Sequence, residues 1–111
     1  MRQSLIASII KFFGVLLSFF LANFLFAATL TLTRAEVAQH STQENCWIII
    51  DKEVFDITTY IAHHPPPLDI VIKDCGRDAS IGWKTKGTKN KPHSKKAHIL
   101  IKKYLIGVIK D

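Results

Sequence analysis

The stretch that decides the fold of this chain is Val54-Phe-Asp-Ile-Thr-Thr-Tyr-Ile-Ala-His-His-Pro-Pro-Pro67. Its apolar, β-branched and aromatic start is typical of a strand. Its end cannot be helical, because each proline lacks an amide donor and restricts the residue before it. We therefore predict a strand, then one short helical turn capped by Thr58 or Thr59, then a histidine-proline turn.

The residues that open the folded part predict a strand and a helix. Leu30-Thr-Leu32 alternates as a short strand does. Thr33 and Glu36 have the spacing of a capping box, in which each side chain bonds the other residue's amide. A short helix through about Ala38 should follow.

A hairpin is predicted next. A polar loop, residues 40–45, leads into Cys46-Trp-Ile-Ile-Ile50, an aromatic and β-branched run typical of a strand with little solvent on either face. Asp51-Lys52 forms a tight turn, and residues 53–56 return as the second strand.

Short helices and a last strand follow the histidine-proline turn. With the hairpin they place the chain in the α+β class, as a small mixed sheet with short helices. The predicted elements are a helix over 68–73, a helix over 79–84 capped by Asp78, a lysine-rich loop over 84–92, a helix capped by Ser94 and a strand over 104–109.

The first 28 residues predict where the protein is located rather than how it folds. Residues 12–28 carry no charge, and Arg2 and Lys11 precede them. This is the layout of a cleaved signal peptide. Extended to Leu32, the apolar segment has 21 residues, enough for the roughly 20 that span a bilayer, so a retained membrane anchor is the alternative. Either one predicts export of the domain, as a free periplasmic protein or one tethered to the inner membrane.

The two cysteines, Cys46 and Cys75, fit an exported protein. An even pair in that setting suggests a disulfide. The alternative is two small buried thiols.

The histidines are the only group of residues in the sequence whose pattern suggests a functional site. There is no nucleophilic triad, no CxxC or CxxCH and no glycine-rich phosphate loop. His64 and His93 each lie in a proline-bounded turn next to an apolar helix. Haem iron takes imidazole ligands within an apolar slot, so we predict these two as its axial ligands. The predicted walls of the slot are Ile57, Tyr60, Ile70 and Val71 on one side, and Trp83, Leu100 and Ile101 on the other.

The other histidines are weaker candidates. His63 is the alternative to His64, but the proline follows His64 directly. His98 lies in the last helix and is predicted to face solvent, and His40 lies in a loop. A zinc site from histidines and cysteines is not favoured, because the spacings fit no common finger.

Residues 30–110 resemble the haem-binding domain of the cytochrome b5 family. The matching stretches run in order through nearly all of the chain after residue 29. They are Leu30 to His40, Asn45 to Ile50, Val54 to Pro66, Cys75 to Ser80, Pro92-His-Ser94 and Tyr104-Leu-Ile-Gly107.

The resemblance implies a fold in which short helices form a haem crevice. It implies non-covalent haem b held between His64 and His93, and an electron carrier rather than an enzyme. Phe55 and Trp47 match core positions of the family. Pocket positions are matched by Ile57, Tyr60, Val71, Trp83 and Leu100, and we also expect Ile70, Ser94 and Ile101 to contact the cofactor. Trp83 could instead be plain core.

Two features depart from the usual pattern. The family has His-Pro-Gly-Gly where this chain has His64-Pro-Pro-Pro67, and proline cannot adopt the positive φ that glycine allows. A binding module for a steroid-like ligand or a protein partner, with haem weak or absent, is therefore the alternative function. A short insertion in the lysine loop resembles bacterial members of the family.

Charge is distributed unevenly, and this predicts the partner. Residues 29–83 carry four basic and eight acidic side chains, whereas residues 84–111 carry nine lysines and one acid. The lysines from Lys84 to Lys96 flank the second histidine and could form a docking surface for an acidic redox protein, or merely a solvated face. Nucleic acid is not expected, because the loop lacks interleaved aromatic residues. We expect a monomer.

Overall fold

The computed structural model describes residues 29–111 except Thr88. The predicted signal peptide or anchor, residues 1–28, lies outside the described residues. Within the part that is described, no helix has the length and apolar character needed to cross a membrane.

A mixed sheet forms the body of the molecule. Its strands lie in the order β1-β6-β4-β3-β2, and β5 pairs with β3 beyond this path. The β1–β6 and β3–β5 pairs are parallel and the others antiparallel. The strands are β1 (Leu30–Leu32), β2 (Ser41–Thr42), β3 (Asn45–Ile50), β4 (Glu53–Asp56), β5 (Arg77–Asp78) and β6 (Leu105–Ile109).

Short helices fill the connections between the strands. Together with the mixed sheet they give the predicted α+β architecture. The helices are α1 (Arg34–Ala38), α2 (Asp69–Ile72), α3 (Ser80–Thr85) and α4 (Lys95–Ile101), with 3-10 turns at Ile61–His63 and Lys102–Tyr104.

Local sequence rules place the first helix and the hairpin correctly. Thr33 accepts a bond from the Glu36 amide at 3.1 Å, and its own amide donates to the Glu36 carboxylate at 2.7 Å, so the capping box is complete. In the hairpin, Asp51 and Lys52 both take positive φ, as a two-residue turn between twisted strands requires.

Strand β3 is buried on both faces, as its continuous apolar run predicts. Ile48 and Ile50 lie in one core cluster with Phe55, whereas Ile49 packs with Val54 in a second cluster. The first cluster also includes Ile57 and Ile61, which precede the histidine-proline turn. One face of the sheet is therefore ordinary core, and the other faces the elements that carry the two histidines.

The two smallest strands were not predicted. Residues 41–42, expected in a polar loop, pair with β3 as β2, and β5 pairs with β3 in parallel. Each has only two residues, too few for a hydrophobic period. Both are held by the backbone groups that β3 leaves open on its outer edge.

Three predicted caps or boundaries differ in detail. Neither Thr58 nor Thr59 caps the 3-10 turn, whose N-cap is Tyr60 with no side-chain bond. Thr58 instead accepts from the Cys46 amide at 2.9 Å and ties the two strands together. Helix α3 begins one residue later than predicted, with Ala79 at its N-cap, while the Asp78 carboxylate accepts from the Ser80 amide at 3.0 Å.

A disulfide joins Cys46 and Cys75. It connects the start of β3 to the chain just before β5. Gly76 follows with φ +76°, and a Cβ at this position would lie 2.8 Å from the Ser41 Cβ. The chain therefore passes β2 so closely that only glycine fits there.

Removal of this disulfide should destabilise the fold without changing it. For a sequence separation of 29 residues, the loop-closure model gives a loss of about 3–4 kcal/mol in the free energy of unfolding. Urea unfolding of the Cys46→Ala/Cys75→Ala protein would measure this loss. Adding reductant should lower the midpoint of the wild type only. Equal midpoints for wild type with and without reductant would show that the disulfide does not form.

Candidate functional site

One cavity of about 420 Å³ lies between the sheet and the helices. This volume is within the usual range for small-molecule and cofactor sites. All ten residues predicted for the site line it: Ile57, Tyr60, His64, Ile70, Val71, Trp83, His93, Ser94, Leu100 and Ile101.

The floor of the cavity is apolar and buried. Ile48 and Ile50 reach it from β3, and Ile57 reaches it from the end of β4, all three being buried. These residues belong to the core cluster on that face of the sheet. A flat apolar group placed here would replace water along the sheet at a gain of roughly 25 cal/mol per Å² of apolar surface buried.

His64 is oriented by its own neighbour. It follows the 3-10 turn with extended backbone, φ −68° and ψ 138°, as a residue before proline prefers. Its Nδ1 lies 2.8 Å from the Pro65 carbonyl oxygen. Because a carbonyl only accepts, Nδ1 carries the proton, and the lone pair of the neutral ring is on Nε2.

His93 is held by a longer-range contact of the same kind. Its Nδ1 lies 2.6 Å from the Trp83 carbonyl oxygen, ten residues earlier. The two rings stack, with centroids 4.1 Å apart and planes within 9°. Nε2 is again the nitrogen with the lone pair.

The surroundings of His93 favour its neutral form. Partial burial lowers its pKa below 6.5, because the charged form loses hydration, and this outweighs the bond to Trp83, which favours the charged form. The charge of Lys86, and repulsion from His64 and His98 when those rings are protonated, lower the pKa further. These effects favour the neutral form of His93, which keeps a lone pair on Nε2.

The remaining histidines do not line the cavity. His63 is exposed at the end of the 3-10 turn. His40 stacks on Trp47, with centroids 3.4 Å apart, and pairs with Asn45, so it supports the fold. His98 is exposed, as predicted, but its ring also packs edge-on against Trp83 at 5.0 Å. Across residues 29–111 without Thr88, no group of three or more histidine, cysteine or acidic side chains could hold a metal ion.

Sequence reasoning missed several lining residues. Ile48 and Ile50 were assigned only to a strand with little solvent on either face, and the structure places them on the face of Ile57. Tyr104 was placed in the last strand, but it lies in a 3-10 turn and packs against Tyr60 at 5.4 Å. The three prolines of the turn and Asp74 also line the cavity. Long-range packing brings these residues there, and no local pattern indicates it.

Ser94 has a second role beside the cavity. Its hydroxyl accepts from the Ala97 amide at 3.2 Å and caps α4. The cap fixes where α4 begins and therefore positions His93, the residue just before it.

Comparison with known proteins gives consistent matches over this region. Residues 33–110 match the family model described as the cytochrome b5-like haem/steroid binding domain. Soluble cytochrome b558 of Ectothiorhodospira shaposhnikovii is 36% identical over 79 residues, covering 71% of this chain and 86% of that protein. Cytochrome b5 of Drosophila melanogaster is 37% identical over 79 residues, or 71% of this chain. The match spans only 55% of the Drosophila protein.

A solved structure confirms the predicted fold. Cytochrome b558 of Ectothiorhodospira vacuolata, described as a prokaryotic homologue of cytochrome b5, superimposes with a TM-score of 0.70 at 34% identity. The match covers 73% of this chain and 99% of that structure. Cytochrome b5 of Ostreococcus tauri virus 2 superimposes with a TM-score of 0.60 at 29% identity, covering 72% of this chain and 96% of that one.

Replacement of Ser94 should weaken α4. Ser94→Ala removes the cap, which should lower the free energy of unfolding by about 1 kcal/mol, measured by urea unfolding. Ser94→Asn is the matched control, because asparagine caps as well as serine and should keep the stability within a few tenths of a kcal/mol. An equal loss in both variants would mean that the serine acts by packing and not as a cap.

Proposed function

Because the chain belongs to the cytochrome b5-like haem/steroid binding domain family, we propose that it is a haem b electron carrier with His64 and His93 as the two axial ligands. One observation carries the proposal. Two imidazoles that line the same cavity each donate an Nδ1–H hydrogen bond to a backbone carbonyl, which leaves the Nε2 lone pair for a metal.

The residues present fit haem b. The cavity offers an apolar floor and walls, as a porphyrin face requires, and nitrogen donors of the kind that bind haem iron. When bound, the haem supplies an iron that gains and loses one electron. With His64 and His93 both holding the iron, no site would be left there for a substrate, which supports a carrier rather than an enzyme.

The chain itself orients the two histidines, tunes their basicity and shields the cavity from water. The bonds from Nδ1 to the carbonyls of Pro65 and Trp83 set the tautomer and ring plane of each histidine and raise its basicity. The stack of Trp83 on His93 restricts rotation of that ring. Apolar lining residues exclude water, and lower hydration favours the less charged state of a bound group.

The proline turn does not oppose this function. In the described residues, positive φ occurs at Asp51, Lys52, Gly76, Lys86, Gly87 and Asn90, and the turn after His64 is not among them. The chain therefore turns without the left-handed conformation that glycine would permit and proline forbids. Pro65, Pro66 and Pro67 instead form part of the cavity lining.

A steroid-like ligand fits the cavity less well. It would fill the apolar volume and cover the two imidazoles that line it, but it has no metal to bind them. Leaving a buried acceptor without a partner costs about 1–3 kcal/mol. Haem uses both nitrogens, so the arrangement of the histidines favours haem.

The place of action that we propose rests on the first 28 residues. Their charge and apolar pattern support export across the inner membrane, with the domain acting in the periplasm either free or tethered. The disulfide between Cys46 and Cys75 agrees with an oxidising compartment.

Optical spectra test the proposed ligation. The full chain, purified with haem supplied, should show a low-spin, six-coordinate oxidised spectrum and a sharp α band after reduction with dithionite. His64→Ala and His93→Ala should each abolish the low-spin form, because each removes one axial nitrogen.

Two neighbouring histidines serve as matched controls. His63→Ala and His98→Ala should keep the low-spin spectrum, since neither ring lines the cavity. A low-spin spectrum that survives His64→Ala but is lost in His63→Ala would show that His63, and not His64, is the ligand. No haem uptake by the wild type, or a high-spin spectrum, would favour the steroid-like binding module.

A further inference from the structure

Three lysines lie at the cavity that contains the two histidines. Lys73 follows the end of α2, Lys86 follows the end of α3, and Lys89 lies in the loop that leads to His93. All three side chains are exposed and line the cavity. We call Lys73, Lys86 and Lys89 the mouth lysines.

The mouth lysines are not neutralised by the protein. Throughout the described part of the chain, the basic partners of ion pairs are Arg34, Lys52, Lys84 and Lys102. None of the mouth lysines belongs to this set. Their positive charges are therefore available to an incoming molecule.

One carboxylate also lines the cavity, that of Asp74. Burial raises its pKa, while the charges of Lys73 and Arg77 act in the opposite direction. Even when it is ionised, one negative charge faces three positive ones. The protein side chains at the mouth therefore keep a net positive charge.

The structure changes the surface expected from the sequence. Lys84, expected to be part of the docking surface, binds Asp51 at 2.8 Å and does not line the cavity. Lys73, outside the expected range, takes its place because α2 forms part of the wall. Exposed Lys91, Lys95 and Lys96 extend the positive surface beyond the mouth.

An apolar residue lies among these charges. Ile70, on α2, lines the cavity and is 40% exposed. An apolar centre with a charged rim is the usual anatomy of a specific but transient protein interface. A partner that approaches here would also come nearest to a group held by His64 and His93.

We propose that the mouth lysines and Ile70 form the docking surface for an acidic redox protein. This inference rests on the proposed function of the site. In the step that it serves, one electron passes between the carrier and the acidic protein, so that one is oxidised as the other is reduced, and no proton or bond changes partner. The positive mouth accelerates encounter with a negative partner and disfavours a positive one.

Rates with probes of opposite charge test this surface. Stopped-flow oxidation of the reduced full-length protein by ferricyanide should be faster at low than at high ionic strength, and oxidation by tris(phenanthroline)cobalt(III) should show the reverse. Reduction of the oxidised protein by an acidic plant-type ferredoxin tests a protein of the proposed chemistry. In Lys73→Gln/Lys86→Gln/Lys89→Gln we expect the ferredoxin rate at low salt to fall about tenfold.

A second triple variant controls for net charge. Lys52→Gln/Lys84→Gln/Lys110→Gln also removes three positive charges, but from residues that do not line the cavity. Its ferredoxin rate should stay within about twofold of wild type. Equal rate losses in the two triples would overturn the docking surface and leave only a general charge effect.

Further outcomes separate this inference from the proposed function. A low-spin haem spectrum with ferredoxin rates unchanged in the mouth triple overturns the docking surface alone. Absence of haem uptake overturns the proposed function and the docking surface with it. Binding of the wild type to anionic phosphatidylglycerol vesicles, lost in the mouth triple while ferredoxin rates stay unchanged, would assign the lysines to a lipid surface instead.

Discussion

The burial of β3 on both faces is the constraint on which the rest of the structure depends. Ile49 packs into the core on one side, while Ile48 and Ile50 face the cavity on the other. A strand with two apolar faces needs a cover on each side. One cover is α1, whose Val37 packs with Ile49, and the other is the set of short helices that carry the histidines. The site exists because the second cover leaves a gap above an apolar floor.

Backbone carbonyls, rather than acidic side chains, control the two histidines. A carboxylate next to either ring would favour the charged imidazole and add a buried charge beside the cavity. A carbonyl fixes the same tautomer without a formal charge, and partial burial of His93 lowers its pKa and so favours the neutral ring. Both imidazoles therefore line the cavity beside its apolar floor, which is the environment that the proposed function needs.

The surface around the cavity combines local sequence with chain topology. The lysine loop lies next to His93 in sequence, so a positive charge near that histidine follows directly. The pairing of Lys84 with Asp51 depends on α3 lying against the hairpin, as does the bond from the Asp51 amide to Ser80. The contribution of Lys73 depends on α2 forming the opposite wall. Only the folded chain distinguishes a lysine at the mouth from one bound elsewhere.

Several elements were determined by the sequence alone, because each depends on groups close together in the chain. The capping box at Thr33, the turn at Asp51-Lys52 and the apolar run of β3 satisfy hydrogen-bond and burial rules within a few residues. The sequence also identified ten residues for the site, and the structure brings all of them to one cavity. That they hold haem remains a prediction.

Tertiary structure decided the features that depend on contacts between residues distant in sequence. Strands β2 and β5 are too short for a periodic signal, and they form because β3 offers open backbone groups beside them. The carbonyl that orients His93 comes from Trp83, across a loop whose length does not predict the contact. The lysines of the mouth were likewise selected by the packing of α2 and α3. In each case the partner groups are distant in sequence, and only folding brings them together.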